Sequence, residues 1–324
     1  MKGMTSAEWE SFLDNSIKHV WRTANVPWIR ELFGLPALKS EFLFCEYLKM
    51  RFLVTQKAAM PTCEYVVTTR CTMRCRHCNT GIPYFNGETH LGPVSFETFK
   101  QDIDTLLDSV DFIYAFGFVG GEPLLNNDLH KMLSYAVTQK KIQHIFIATN
   151  CTILPSNELI SAMKSGGTRF AVQISDYRDV KNIQSKLEVK YQEFKSILKK
   201  NEIMYSAFHE KHGANWHSLP EIYYDKQSPE KIRTVFKNCF GRYCNMLCDG
   251  ILSQCTISVY INRCMQLSLK AKDELVDVRI KGGDLAKQIV HFYSHPYSEF
   301  CHYCHWENVK YNLPFGEQLG SEDV

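Results

Sequence analysis

The chain has 324 residues, a formal net charge of +2 and 13 cysteines. That length can bury a sizeable core and suits one large domain with a smaller one. The near-neutral charge, with basic runs no longer than pairs such as Lys199-Lys200, argues against a nucleic-acid partner. No apolar run reaches the ~18 residues of a membrane span, and the N-terminus shows no signal-peptide pattern. The expectation is therefore a cytoplasmic protein with no membrane partner, in which thiols serve metal binding or catalysis.

Residues 1–60 read as a helical extension. Thr5-Ser6-Ala7-Glu8 can form a capping box ahead of Trp9, Phe12 and Ile17. Pro27 suits a helix start and Gly34 a stop. A third helix is expected from Ala37 to Val54, with Phe44, Leu48 and Phe52 about a turn apart. The segment is expected to buttress the domain that follows.

The pattern then changes. Tyr65-Val66-Val67-Thr68-Thr69 reads as a β-strand, and Cys71-Thr72-Met73-Arg74-Cys75-Arg76-His77-Cys78 forms the loop that leaves it. Three thiols in this loop allow a zinc site with His77 as fourth ligand, or three unrelated buried thiols. The spacing is not a common zinc-knuckle spacing. Iron–sulfur cubes normally take four cysteine thiolates, so three would leave one iron open for chemistry.

Helices and strands alternate from there. Ser95 can cap a helix through Val110, and Phe112 to Val119 reads as a strand buried on both faces. That strand ends in Gly120-Gly121-Glu122-Pro123. Helices near Asp128–Thr138, after Ser156 and from about Asp179 to Lys200 separate strands at His144–Ala148, Phe170–Ile174 and Ile203–Phe208. The last two strands before Ile203 end in Thr149-Asn150 and Ser175-Asp176-Tyr177. Repeated β-α units imply a parallel sheet with right-handed crossovers. Ligands collect at the C-terminal ends of such strands, so four polar elements are expected on one rim. A sixth strand has no clear position.

Cys71-x3-Cys75-x2-Cys78 followed by Gly120-Gly121-Glu122-Pro123 resembles the radical SAM superfamily over roughly residues 62–306. His77 stands where that family usually has an aromatic residue. The resemblance implies an α/β fold, a partial (β/α)6 TIM-like barrel spanning 61–228. It also implies a [4Fe–4S] cluster on Cys71, Cys75 and Cys78 that chelates S-adenosylmethionine. Reductive cleavage of that cofactor would give a 5′-deoxyadenosyl radical. Gly120, Gly121, Glu122 and Pro123 would receive the methionine ammonium, and Asn150, Ser175 and Asp176 the ribose or carboxylate.

Residues 229–310 carry a second group of thiols. Asp249-Gly250 is a hairpin signal. The array Cys239-x10-Gly250-x4-Cys255 with Cys301-x2-Cys304 resembles the twitch domain, a short SPASM-type domain with an auxiliary [4Fe–4S] cluster. A helix near Asp284–Phe292 fits in the gap. Cys244 is an alternative to Cys239, and a structural zinc site suits the same residue types. Residues 311–324 read as a tail.

The resemblance, which extends to members acting on sugars or aminoglycosides, implies hydrogen abstraction from a carbon of a small polar, carbohydrate-like or aminoglycoside-type molecule by an oxidoreductase or an epimerase. A flavodoxin or ferredoxin would supply electrons. Tyr84, Tyr177, Arg178, Trp216 and His217 are candidate substrate contacts, and Cys248 a candidate hydrogen donor. The rival within the class is a peptide maturase, against which the all-helical N-terminus counts. The rival outside it is a non-catalytic zinc-binding protein.

Overall fold

The computed structural model describes residues 6–85, 87–178, 184–207, 216–280 and 284–320. Three helices lead: α1 (Ser6–Ala24), α2 (Pro27–Phe33) and α3 (Glu41–Thr55). Pro27 opens α2 where its missing N–H is not needed, and Gly34 closes it at φ 62°. The third helix starts at Glu41 rather than Ala37 because Ser40 caps it, its hydroxyl accepting from Leu43 N.

Strands and helices then alternate: β1 (Ala58–Thr68), α4 (Phe96–Ser109), β2 (Val110–Gly120), α5 (Leu129–Thr138), β3 (Ile142–Thr149), α6 (Asn157–Ser165), β4 (Phe170–Ile174), α7 (Gln184–Lys200) and β5 (Met204–Ala207). The expected helix start at Asp179 and the strand end at Phe208 lie outside the described residues. Next come β6 (Trp216–His217), β7 (Glu221–Ile222), α8 (Pro229–Asn238), β8 (Met246–Cys248) and β9 (Ile251–Ser253). The remainder is α9 (Thr256–Cys264), α10 (Leu269–Asp273), β10 (Val276–Asp277), α11 (Leu285–Ser294), β11 (Cys304–His305) and β12 (Tyr311–Leu313).

Eight strands form one sheet in the order β10-β9-β8-β1-β2-β3-β4-β5. Strands β1 to β5 are parallel throughout. Strand β8 joins β1 in parallel on its other edge, and β9 returns against β8 through Asp249 and Gly250, both at positive φ. Such a turn matches the right-handed twist of the strands it joins. The first strand starts at Ala58, earlier than its apolar run suggests, because Pro61 masks the signal. Strand β8 pairs with β1 only at Glu64 and Tyr65, so Pro61 sits on a free edge, where a missing N–H is tolerated.

Both sheet faces are covered. Helices α4 to α6 and α11 bury residues such as Tyr65, Phe116, Ile145 and Val172. The other face carries Val66, Tyr114, Phe146 and Ala171, and α1 and α2 pack there with Ile17, Val20, Ile29 and Leu32. The N-terminal helices therefore cover this second face of the sheet.

A buried polar knot ties the layers together. Asp102 of α4, 1% exposed, accepts Tyr65 Oη at 2.8 Å and the Arg279 guanidinium at 2.7 and 2.9 Å. Arg279 also reaches Asp249 at 2.9 Å, so the knot links α4, β1, the β8–β9 turn and the segment after β10. Replacing Asp102 by Ala leaves a buried hydroxyl without its acceptor and takes from the half-buried Arg279 its two contacts to Asp102, so that it keeps Asp249. The expected loss, discounted for the partial exposure of Arg279, is about 2–4 kcal/mol. Urea unfolding of Asp102→Ala checks it, and a change under about 0.5 kcal/mol, the range of ordinary surface substitutions, would contradict it.

Candidate active site

The C-terminal ends of β1 to β4 open onto a cavity of about 380 Å³. Its walls include Cys71, Cys75 and Cys78, then Gly120-Gly121, Thr149-Asn150 and Ser175-Asp176-Tyr177. Trp28 of α2, edge-on to Phe146 at 5.5 Å, also lines it, as do Glu64, Gln173, Trp216, Cys244 and Phe315.

The loop after β1 holds the first three thiols in partly or fully buried positions. Each sulfur meets a hydrogen-bonding group. Met73 N lies 3.4 Å and Asn150 Nδ2 3.7 Å from Cys71 Sγ. Thr80 Oγ1 is 3.3 Å from Cys78 Sγ, and Gln318 Nε2 is 3.6 Å from Cys75 Sγ. Burial pushes the Cys71 thiol up to about 11 and Cys75 up to about 12. Both are thus neutral unless a metal centre draws off their protons.

Two glycines bring β2 onto this loop. Gly120 has φ +136°, and a Cβ there would stand 2.2 Å from Thr68 O. A Cβ on Gly121 would stand 2.1 Å from Arg70 O. The backbone needs that closeness, since Gly121 N donates to Thr68 O and Glu122 N to Arg70 O, both at 2.8 Å. Glu122 is fully buried, behind the cavity wall. Its carboxylate accepts from Leu124 N, Thr149 Oγ1 and Asn150 N at 3.1, 2.8 and 2.9 Å. It thereby staples the end of β2 to that of β3, while Pro123, itself buried, starts a single turn. Asn150 turns its amide toward Cys71 and Thr72.

The other predicted positions divide. Tyr177 and Trp216 line the cavity, edge-on at 6.1 Å. Asp176 lines it too, and holds Arg178 through two contacts at 2.8 and 2.9 Å. Arg178 also reaches Glu188 and lies over Tyr191. Tyr84 donates to Arg76 O at 2.6 Å, bracing the cysteine loop. His217 stacks on Trp216 and faces the neighbouring pocket. Cys248 is 5% exposed, beside Arg263 and Asp249, and is not among the cavity walls.

The second thiol group surrounds a small pocket lined by Cys239, Cys255, Cys301 and Cys304. Burial, and for most of them the other thiols of the group, push all four upward. Cys244 also senses Cys239 and Cys255, but it lines the large cavity and hydrogen-bonds Glu64. Asn79 and Thr256 lie between the two sites, lining both the cavity and a pocket against Cys239, Cys255 and Cys304. Among the described residues, no three His, Cys, Asp or Glu side chains close on a single-ion site. The thiols stand around cavities instead.

Residues 65–204 match the profile of the radical SAM superfamily. This stretch is a radical SAM domain. The family implies S-adenosylmethionine and a [4Fe–4S] cluster, and the three thiols, the double glycine and the polar strand ends of the radical SAM domain fit that pair. Among solved structures, BtrN in complex with AdoMet and 2-DOIA aligns at 13% identity and TM-score 0.44, over 75% of this chain and 84% of that one. Native anSMEcpe with bound AdoMet and a peptide aligns at 14% and 0.43, over 72% and 83%. A tagged form of anSMEcpe with bound AdoMet aligns at 16% and 0.34, over 45% of this chain and 41% of that one. No curated protein matches the sequence.

The wall residues that escaped the sequence reading include Trp28, Glu64, Gln173 and Phe315. Period-2 alternation in β1 and β4 would have aimed Glu64 and Gln173 inward had the strand faces been assigned. Nothing local marks Trp28 or Phe315.

Burial raises Glu122 from 4.5 to about 7. Between those values the folded chain binds more protons than the unfolded one, so this group's contribution to stability falls as pH rises. Glu122→Gln should flatten the fall between about pH 5 and 7, leaving the parts due to Glu64 and Glu274, which are raised in the same way. Urea midpoints at pH 5, 6 and 7 check this, and an unchanged slope would contradict it.

Proposed function

We propose that the chain is a radical SAM enzyme that abstracts hydrogen from a carbon of a carbohydrate-like or aminoglycoside-type substrate. The observation that carries the reading is the single cavity shared by Cys71, Cys75, Cys78, Gly120-Gly121, Asn150 and Ser175-Asp176. When bound, the cluster and S-adenosylmethionine supply the carbon radical that takes the hydrogen.

The chain's own residues hold and orient. Cys71, Cys75 and Cys78 ligate the cluster. Gly120 and Gly121 let the cofactor's methionine end lie against the backbone. Asn150, Ser175 and Asp176 offer polar groups to its carboxylate and ribose, and Glu122 fixes the strand ends from behind. Tyr177 and Trp216 form the substrate wall. Arg178 is held by Asp176 and Glu188 and acts through Asp176, while Tyr84 and His217 support the walls. Cys239, Cys255, Cys301 and Cys304 hold an auxiliary [4Fe–4S] cluster that passes electrons between the cavity and a flavodoxin- or ferredoxin-type donor. A thiol that returns hydrogen to a substrate radical has to face the cavity, which favours Cys244 over Cys248.

Anaerobically reconstituted protein should hold about eight irons, and Cys71→Ala/Cys75→Ala/Cys78→Ala about four. The triple variant should make no 5′-deoxyadenosine under reduction with S-adenosylmethionine. Colourless, zinc-loaded protein would contradict the enzyme reading. A panel of amino sugars should raise 5′-deoxyadenosine formation above the substrate-free rate. Stimulation by Ser- or Cys-containing peptides instead would move the assignment to a peptide maturase.

A further inference from the structure

The C-terminal segment runs back across the cysteine loop. Strand β12 pairs with β6, which places Phe315 against Trp216 at 5.0 Å on the cavity wall. Beyond it the chain adds itself to the loop as a strand would: Arg76 N donates to Glu317 O at 2.7 Å, and Leu319 N to Arg74 O at 2.8 Å. Cys75 and Gln318 form a bridge between them. Arg76 and Glu317 also pair through their side chains at 3.1 Å.

Gln318 sits at the centre of this crossing. Its Oε1 accepts from Arg74 N at 2.8 Å, and its Nε2 donates to Gly316 O. Those two partners fix the amide orientation, because one is an N–H and the other a carbonyl. The fixed orientation turns the Nε2 hydrogens toward Cys75 Sγ at 3.6 Å. The backbones of Thr72, Met73 and Cys75 and the Asn150 amide also donate to these sulfurs, and Thr80 Oγ1 pairs with Cys78 Sγ; all five belong to the radical SAM domain itself. Gln318 comes from 243 residues along the chain.

We infer that Gln318 is a positioning residue of the cluster, delivered by the C-terminal segment, which holds the cysteine loop and donates an N–H···S bond to the Cys75 ligand. This rests on Cys75 being a cluster ligand, as proposed above. Hydrogen bonds to ligand sulfurs tune the reduction potential of iron–sulfur clusters. A donor stabilises the extra negative charge of the reduced form, so Gln318 raises the potential and eases one-electron reduction by the flavodoxin-type donor.

The test is a dithionite-mediated redox titration, followed by EPR, of three reconstituted proteins. Gln318→Met keeps the side-chain length but removes both amide functions. It should retain the wild-type iron content, with the potential of the cluster on Cys71, Cys75 and Cys78 shifted to more negative values. Glu317→Gln weakens the same crossing while sparing the amide, and should titrate like wild type. An unshifted potential in Gln318→Met, with iron content preserved, would overturn the inference and leave the cluster assignment standing. Equal shifts in both variants would reduce the segment to general bracing and overturn the specific role of Gln318. A wild-type protein that binds no iron would remove the inference together with the reading beneath it.

Discussion

The contact on which the site depends is the meeting of two backbones, at the end of β2 and at the start of the cysteine loop. Gly120 and Gly121 pass so close to the carbonyls of Thr68 and Arg70 that no side chain fits at either position. Two 2.8 Å hydrogen bonds hold them there. The pairing of β1 with β2 along their length supports this junction, with continuously buried side chains on β2. Without that closeness the thiols and the strand ends would not share one cavity. Glu122 extends the constraint sideways, since its buried carboxylate collects donors from β3 and so joins the third strand end to the first two.

The same sheet explains why the chain needs its terminal segments. A sheet whose central strands are parallel is apolar on both faces, and both must be covered. Helices α1 and α2 pack on the face that carries Val66, Phe146 and Ala171, and Trp28 of α2 forms part of the cavity wall. At the top, the C-terminal segment covers the cysteine loop. Both ends of the chain thus contribute walls to a site whose motifs lie in its middle.

The legible parts of the sequence were those with local signatures. The buried run of β2, the capped α4 and α6, the Asp249-Gly250 turn and the double glycine each announce themselves within a few residues. The convergence of the strand ends followed from β-α alternation alone. What stayed hidden was long-range. Strand β8 is three residues long and pairs with β1 from about 180 residues further along the chain, so no periodicity reveals it. The separation of Cys244 from Cys239 depends on which way a short turn faces. Gln318 and Phe315 occupy a segment with no regular pattern, and their partners lie far away in sequence.

In the proposed assignment the two thiol groups hold two clusters with different duties, only one of them open to S-adenosylmethionine. EPR of the dithionite-reduced, reconstituted protein with and without S-adenosylmethionine tests it most directly. The account predicts two overlapping reduced-cluster signals, of which one changes shape on adding S-adenosylmethionine and the other does not. A single signal, or a spectrum that S-adenosylmethionine leaves untouched, would contradict it.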